Sequence, residues 1–197
     1  MSSPSLPFTL PEYFDEAFEG LLAKDQTIAG IEFNGCTFVN CQLQGAKLKG
    51  SRFIDCTFKD SDLSNADVRG AGFSDVRFFG SKLIGIDWTA AARLQHLAFE
   101  RSVLTYGNFT SLDLRKMKLV ECVARELYLA EANLSEADCR KSDFAGARFS
   151  RTNLTKADLR GAQNYAIRAD DNLIAKARFS LPEAVALLHG LDVRLDD

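Results

Sequence analysis

The side chains best suited to metal binding or nucleophilic chemistry in this 197-residue chain are Cys36, Cys41, Cys56, Cys122, Cys139, His96 and His189. Zinc needs ligands in short paired spacings such as C-x-x-C, and none of these residues is so placed. A nucleophile needs a positioned base, and neither histidine lies in such an arrangement. The glycines form no phosphate-cradling loop. Catalytic, metal-binding and cofactor-binding residues are therefore all read as none, and an enzyme is the least favoured class. The acidic residues stand apart. Glu121, Glu126, Glu131 and Glu136 recur every five residues, and with Asp138 and Asp143 they give the stretch 121–143 six acids against three bases. Such a row is a source of electrostatic field, unless its members are simply solvated as exposed charges usually are.

The five-residue spacing of those glutamates belongs to the whole chain. From Ile28 a large apolar residue returns at Phe33, Phe38, Leu43, Leu48, Phe53, Phe58, Leu63, Val68, Phe73, Phe78, Leu83 and Trp88. The spacing then slips by one residue and resumes from Leu94 through Phe99, Leu104, Phe109, Leu114 and Leu119 to Leu159. Two places before each large residue stands a small one (Cys36, Cys41, Ala46, Ser51, Cys56), and two places after it often stands Gly or Asn (Gly30, Gly35, Asn40, Gly45). Neither the helical nor the strand period divides five, so the pattern reads as a solenoid whose units bury their apolar sides by stacking. Each pentad is one side plus one corner that accepts positive φ. Cys36, Cys41, Cys56 and Cys122 fall on the small inward positions and Cys139 on a large one, which makes them buried thiols.

These residues resemble the pentapeptide-repeat proteins, whose A(D/N)Lxx pattern appears as Ala66-Asp67-Val68, Ala132-Asn133-Leu134 and Ala157-Asp158-Leu159. The resemblance spans roughly Tyr13 to Leu159. It implies an all-β fold, a right-handed quadrilateral β-helix in which four pentads close one square coil, with a short C-terminal helix and strand as a dimerisation and capping module. Coils about 4.8 Å apart then make a rod of roughly 30 Å, about as wide as a DNA duplex. The organisation expected is a cap and irregular first coil over 1–27, the repeats over 28–161 and the C-terminal module over 162–197. For the first segment a helix stays open beside the coil, because Phe14, Phe18, Leu21 and Leu22 also make a helical stripe.

A solenoid needs its ends covered. At the C-terminal end Ser180-Leu181-Pro182-Glu183 reads as a capping box opening a helix that Gly190 ends, with Asp192 to Leu195 as a last strand. The run from Ala177 to Leu195, with Tyr165, Asn172 and the segment Lys82 to Thr89, is similar to the Qnr-type branch of quinolone-resistance and albicidin-immunity proteins. That branch implies a homodimer joined end to end, here through Phe179, Leu181, Val185, Leu187, Leu188, Leu191, Val193 and Leu195. It also implies binding to a type II topoisomerase as a DNA mimic that protects it from poisons. The expected target is DNA gyrase, met at its A subunit, with topoisomerase IV bound by some members. The glutamate row with Asp138 and Asp143, lying in the half nearest the dimer junction, is the candidate contact.

Charge supports mimicry only in part: residues 1–26 carry five acids against one base, but the chain as a whole is only −3, which leaves the coils slightly basic. The slip makes Thr89, Ala90, Ala91, Ala92 and Arg93 a candidate bulge, and nearby small positions turn large (Val76, Ile86, Leu97, Leu112, Met117, Leu127). No long insertion marks a projecting loop. Outward apolar residues Phe79, Ile84, Val103, Tyr106, Val120 and Tyr128 fit either side-to-side stacking or a contact patch. With no apolar run long enough for a membrane span and no signal peptide, the chain is expected in the cytoplasm, with neither membrane nor direct nucleic-acid binding. The alternative function is a repeat scaffold or adaptor for an unrelated protein, since fold does not fix function.

Overall fold

A computed structural model gives the structure of residues 6–191. Its chain climbs in square coils whose sides stack in parallel. The strands are β1 (Glu12–Phe14), β2 (Ala17–Glu19), β3 (Glu32–Asn34), β4 (Thr37–Val39), β5 (Arg52–Ile54), β6 (Thr57–Lys59), β7 (Gly72–Ser74), β8 (Arg77–Phe79), β9 (Arg93–Gln95), β10 (Ala98–Glu100) and β11 (Lys118–Val120). Odd strands β1-β3-β5-β7-β9 build one sheet, and β2-β4-β6-β8-β10-β11 build the next. The remaining sides pair through single bridges, from Leu22↔Gln42 to Asp158↔Arg178. Partners lie one coil apart, as Glu12↔Glu32, and the offset grows by one residue across the slip, as Gly72↔Arg93 and Asp87↔Asn108. This is the all-β, right-handed quadrilateral β-helix.

The ladder crosses residues 27 and 161, running through Thr27↔Lys47 and Asp143↔Gln163. The first coil is regular: Tyr13 lies in register with Phe33 and Phe18 with Phe38, so the helical reading of this segment gives way to strands over 12–19. At the far end the spacing does not stop at Leu159. It passes over Asn164, where Tyr165 and Ile167 fill the core instead, and returns at Ile174 and Phe179, both packed on the core.

Large inward residues form stacked ladders along the axis. Phe33, Phe53 and Phe73 stack with centroids 5.1 Å apart, and Phe38 lies 4.6 Å from Phe58. Burying one such ring contributes about 1.5–3 kcal/mol. Where a small position holds a large residue, a neighbour yields: Leu127 is buried beside Ala124 on a large position, and Leu94 is partly pushed out beside buried Leu97.

The corners come in two kinds, closed and open. Alanine accompanies a closed turn, in which its N–H reaches the carbonyl three residues back, as Ala46 to Leu43, Ala66 to Leu63, Ala137 to Leu134 and Ala157 to Leu154. At open corners a hydroxyl takes over. The Cys41 N–H donates to Ser61 Oγ (3.0 Å), Ser61 N–H to Ser81 Oγ (3.2 Å) and Ser81 N–H to Ser102 Oγ (3.1 Å), while Ser61 Oγ donates toward the Phe38 and Lys59 carbonyls. A buried backbone donor without such a partner would cost about 1–3 kcal/mol. Cys36, Cys41, Cys56 and Cys122 join this ladder as weak donors, with Cys56 Sγ 3.3 Å from the Phe33 carbonyl and Cys122 Sγ 3.4 Å from that of Phe99.

The capping box does not form. Ser180 Oγ instead accepts from the Gly161 N–H (2.8 Å), closing the corner of the last coil, and the following helix, Glu183–Leu191, is 3₁₀ rather than α. The expected strand over 192–195 lies outside the described residues.

Candidate functional site

Every outward corner residue stands in a column with the corners one coil above and below, and this stacking sets the chemistry of the acidic row. Glu121, Glu126, Glu131 and Glu136 occupy successive corners of one coil, all exposed and all at positive φ (55°, 53°, 60° and 59°). Their neighbours along the axis are largely basic. Arg101 Nε and Lys141 Nζ contact Glu121 from either side at 3.1 and 3.0 Å. Glu131 receives Arg151 from one side and the Ser111 hydroxyl (3.2 Å) from the other. Glu136 stands between Lys116 and Lys156 in its column, linked by the Lys116 to Ser135 and Glu136 to Thr155 backbone bonds. Glu126 alone has no basic corner beside it: Tyr106 precedes it and Gly146 follows.

The two aspartates are internally paired as well. Asp138 holds Arg140 through both oxygens (2.7 and 2.6 Å), and Asp143 accepts from Arg125 (2.6 Å) and Asn164 (2.8 Å). The Lys141 and Arg101 donors hold the Glu121 carboxyl below its usual range, and Arg151 with Ser111 does the same for Glu131. Asp138 is lowered by Arg140 against an opposing effect of burial. For Asp143 burial is the largest influence and acts upward, yet Asn164 and Arg125 together outweigh it and the carboxyl is lowered. The row is thus brought together on one coil, but cations of the same chain balance most of it.

The slip resolves into a compact corner. Trp88–Ala90 make a 3₁₀ turn capped by Asp87, whose carboxylate accepts from the Thr89 N–H (3.2 Å) and hydroxyl (2.6 Å). Trp88 is fully buried and stacks on Phe109 at 5.7 Å. The Ala91 N–H closes on Trp88 and the Ala92 N–H rejoins the ladder at Ala71. Arg93 is not part of the bulge; it begins β9 and pairs with Gly72.

At the C-terminal end Leu181 (78 %), Leu191 (49 %) and Val185 (37 %) are exposed, whereas Phe179 and Leu187 pack on the core and Leu188 is half-buried. Val193 and Leu195 lie outside the described residues. Leu173, which the sequence reading passed over, adds an apolar side chain 63 % exposed on the last coil. It follows Asn172, whose side chain accepts from the Thr152 N–H as the serines do elsewhere, a role that its residue type does not announce in the sequence.

The cysteines are buried free thiols, and burial pushes Cys56, Cys122 and Cys139 up to about 12, so they stay protonated and unreactive. Among the described residues no group of His, Cys, Asp and Glu is arranged to hold a metal, and no helix is long and apolar enough to cross a membrane.

Comparisons with known proteins bear on the whole rod. A trypsin-treated form of QnrB1, a plasmid-mediated fluoroquinolone resistance protein, superposes with a TM-score of 0.73 at 19% identity, covering 94% of this chain and 100% of that one. Full-length QnrB1 gives 0.58 at 20% identity, over 92% of this chain and 100% of that one. HetL, a pentapeptide repeat protein involved in heterocyst differentiation regulation from the cyanobacterium Nostoc sp., gives 0.54 at 16% identity, over 85% and 86%. A sequence search of curated proteins returned no significant match. Family profiles match a pentapeptide repeat region over residues 31–109 and pentapeptide repeats over 128–163, together more than half of the chain. The chain belongs to the pentapeptide-repeat family.

Proposed function

We propose that this chain is a cytoplasmic homodimer that binds DNA gyrase, at its A subunit, as a partial mimic of duplex DNA. It would shield the enzyme from poisons that trap cleaved DNA and so confer antibiotic resistance or self-immunity, with topoisomerase IV as a second target of the same kind. It is a binding protein, not an enzyme. The observation that carries the reading is the overlap with a trypsin-treated fluoroquinolone resistance protein over 94% of this chain and 100% of that one. The exposed Leu181, Val185 and Leu191 at that end support a two-fold junction, since an apolar end is commonly covered by a second copy.

Purified gyrase supercoiling plasmid under a fluoroquinolone or albicidin should recover activity when the protein is added. Neither rescue nor inhibition at micromolar protein would leave the adaptor reading ahead. Sedimentation should give a dimer that Leu181→Glu with Val185→Glu turns into a monomer; a monomeric parent would remove the junction. The adaptor reading draws its support from the internal charge balance of the acidic coil, which weakens the resemblance to a uniformly anionic duplex.

A further inference from the structure

The exposed large apolar side chains among the described residues fall in three places. Leu10, Phe14 and Leu22 lie at the first coil, and Leu173, Leu181, Val185 and Leu191 lie at the last. Capping or pairing of the rod ends accounts for both groups. Tyr106 (59 % exposed) and Tyr128 (39 %) lie between them, where no end needs covering.

The two tyrosines frame Glu126. Tyr106 is the corner before it in the column, joined through the Tyr106 N–H to the Arg125 carbonyl, and Tyr128 is two residues beyond it on the adjoining side. The Glu126 carboxylate lies in the space that a Cβ on Gly146 would fill, so the glycine corner leaves it room. It makes no ion pair, because Arg125 beside it is turned to Asp143. Each of the other three glutamates of the coil has a basic corner in its column.

Tyr106 also sits where its residue type is disfavoured. It is the third residue of the closed turn Leu104 to Gly107, at φ 62°, a position that elsewhere in the molecule holds Gly45 but also Lys116, Glu131 and Lys156. A bulky aromatic is poorly suited to that conformation, and its presence at an exposed corner singles Tyr106 out among the charged and small residues that fill the others. The other outward apolar residues are half-buried: Phe79 lies under Arg101 at 5.6 Å, and Ile84, Val103 and Val120 pack along the sides.

We infer that Tyr106, Glu126 and Tyr128 form the principal contact of the acidic coil, and that they receive lysine or arginine side chains from the DNA-handling surface of the topoisomerase. This rests on the function proposed above. Tyr128 carries the Arg148 guanidinium over one face of its ring at 5.1 Å, a cation contact that an incoming guanidinium or ammonium has to share or displace. Tyrosines around an unpaired carboxylate have the composition of a binding hot spot for a basic surface.

The test uses the full chain with gyrase, reading drug protection, affinity and melting temperature. Tyr106→Asn suits the left-handed corner better, so melting should stay level or rise while gyrase binding weakens by about tenfold or more, the scale of a lost hot spot. Glu126→Gln should act alike, and Glu131→Gln should stay within about twofold because Arg151 already neutralises that carboxylate. If the unaltered protein protects gyrase and both Tyr106→Asn and Glu126→Gln bind as well as it does, the inference is overturned while the function stands. If the unaltered protein neither binds nor protects gyrase, the function fails and the inference with it.

Discussion

The rod before Trp88 and the rod after it solve the same coil differently. Before the slip two adjacent sides carry continuous phenylalanine ladders and extended strands, and the charged corners are Asp15, Asp25, Asp55, Asp60 and Asp75, with Gly or Asn at the rest. These residue types take left-handed φ with little strain. After Phe109 the interior shifts mainly to Leu and Ala, with Phe144 and Phe149 as the remaining aromatic pair before Tyr165, and after β11 the sides pair through single bridges. The corners become Arg101, Tyr106, Lys116, the four glutamates, Lys141, Arg151 and Lys156, residues for which that conformation is unfavourable. The first region is thus built for packing. The second accepts backbone strain to display long charged and aromatic side chains, which places surface chemistry there rather than along the whole rod.

The contrast is open to attack at three depths. Phe58, stacked between Phe38 at 4.6 Å and Phe78 at 5.1 Å, should lose about 3–5 kcal/mol on Phe58→Ala. Leu134→Ala after the slip should lose less, within the lower part of the ~2–5 kcal/mol range for leucine. Equal shifts in urea midpoint would deny the first region its greater packing role. Ser61→Ala at an open corner strips the Cys41 N–H of its acceptor and should cost about 1–3 kcal/mol. Ser61→Cys, which loses the oxygen acceptor but keeps a weak donor toward the Phe38 carbonyl as Cys56 does toward that of Phe33, should cost less; identical losses from both would reject the hydroxyl ladder.

The smallest effect concerns pH. Asp138 has a folded-state pKa lowered by Arg140, so its contribution is fully present above the unfolded value of about 3.9 and disappears as pH falls through the folded value. Asp138→Asn should leave a shallower loss of stability below about pH 4. An acid unfolding curve identical to the parent's would show that the pair contributes nothing.

Much of this was legible from phase. The position of a residue within the pentad placed Cys36 and Cys56 inside and Glu121 through Glu136 at the corners. What escaped was set by relations one coil apart or by single substitutions. Adding a coil's length to Glu121 reaches Lys141, yet nothing within a pentad reports that their side chains meet. Asn172 hid the return of the spacing because it is not small, although its amide performs the serine's task. The first coil was ambiguous because Phe14, Phe18, Leu21 and Leu22 satisfy a helical stripe, and only register with Phe33 and Phe38 decides between the two. Ser180 read as a helix cap because local sequence cannot show that Gly161 claims its hydroxyl.

The most direct test of the account is competition for gyrase between this protein and a short duplex DNA. Purified gyrase should bind the immobilised protein, and added duplex should displace it in proportion to its own affinity. Absence of binding, or binding that saturating duplex leaves unchanged, would contradict the proposal that this rod occupies the place of DNA.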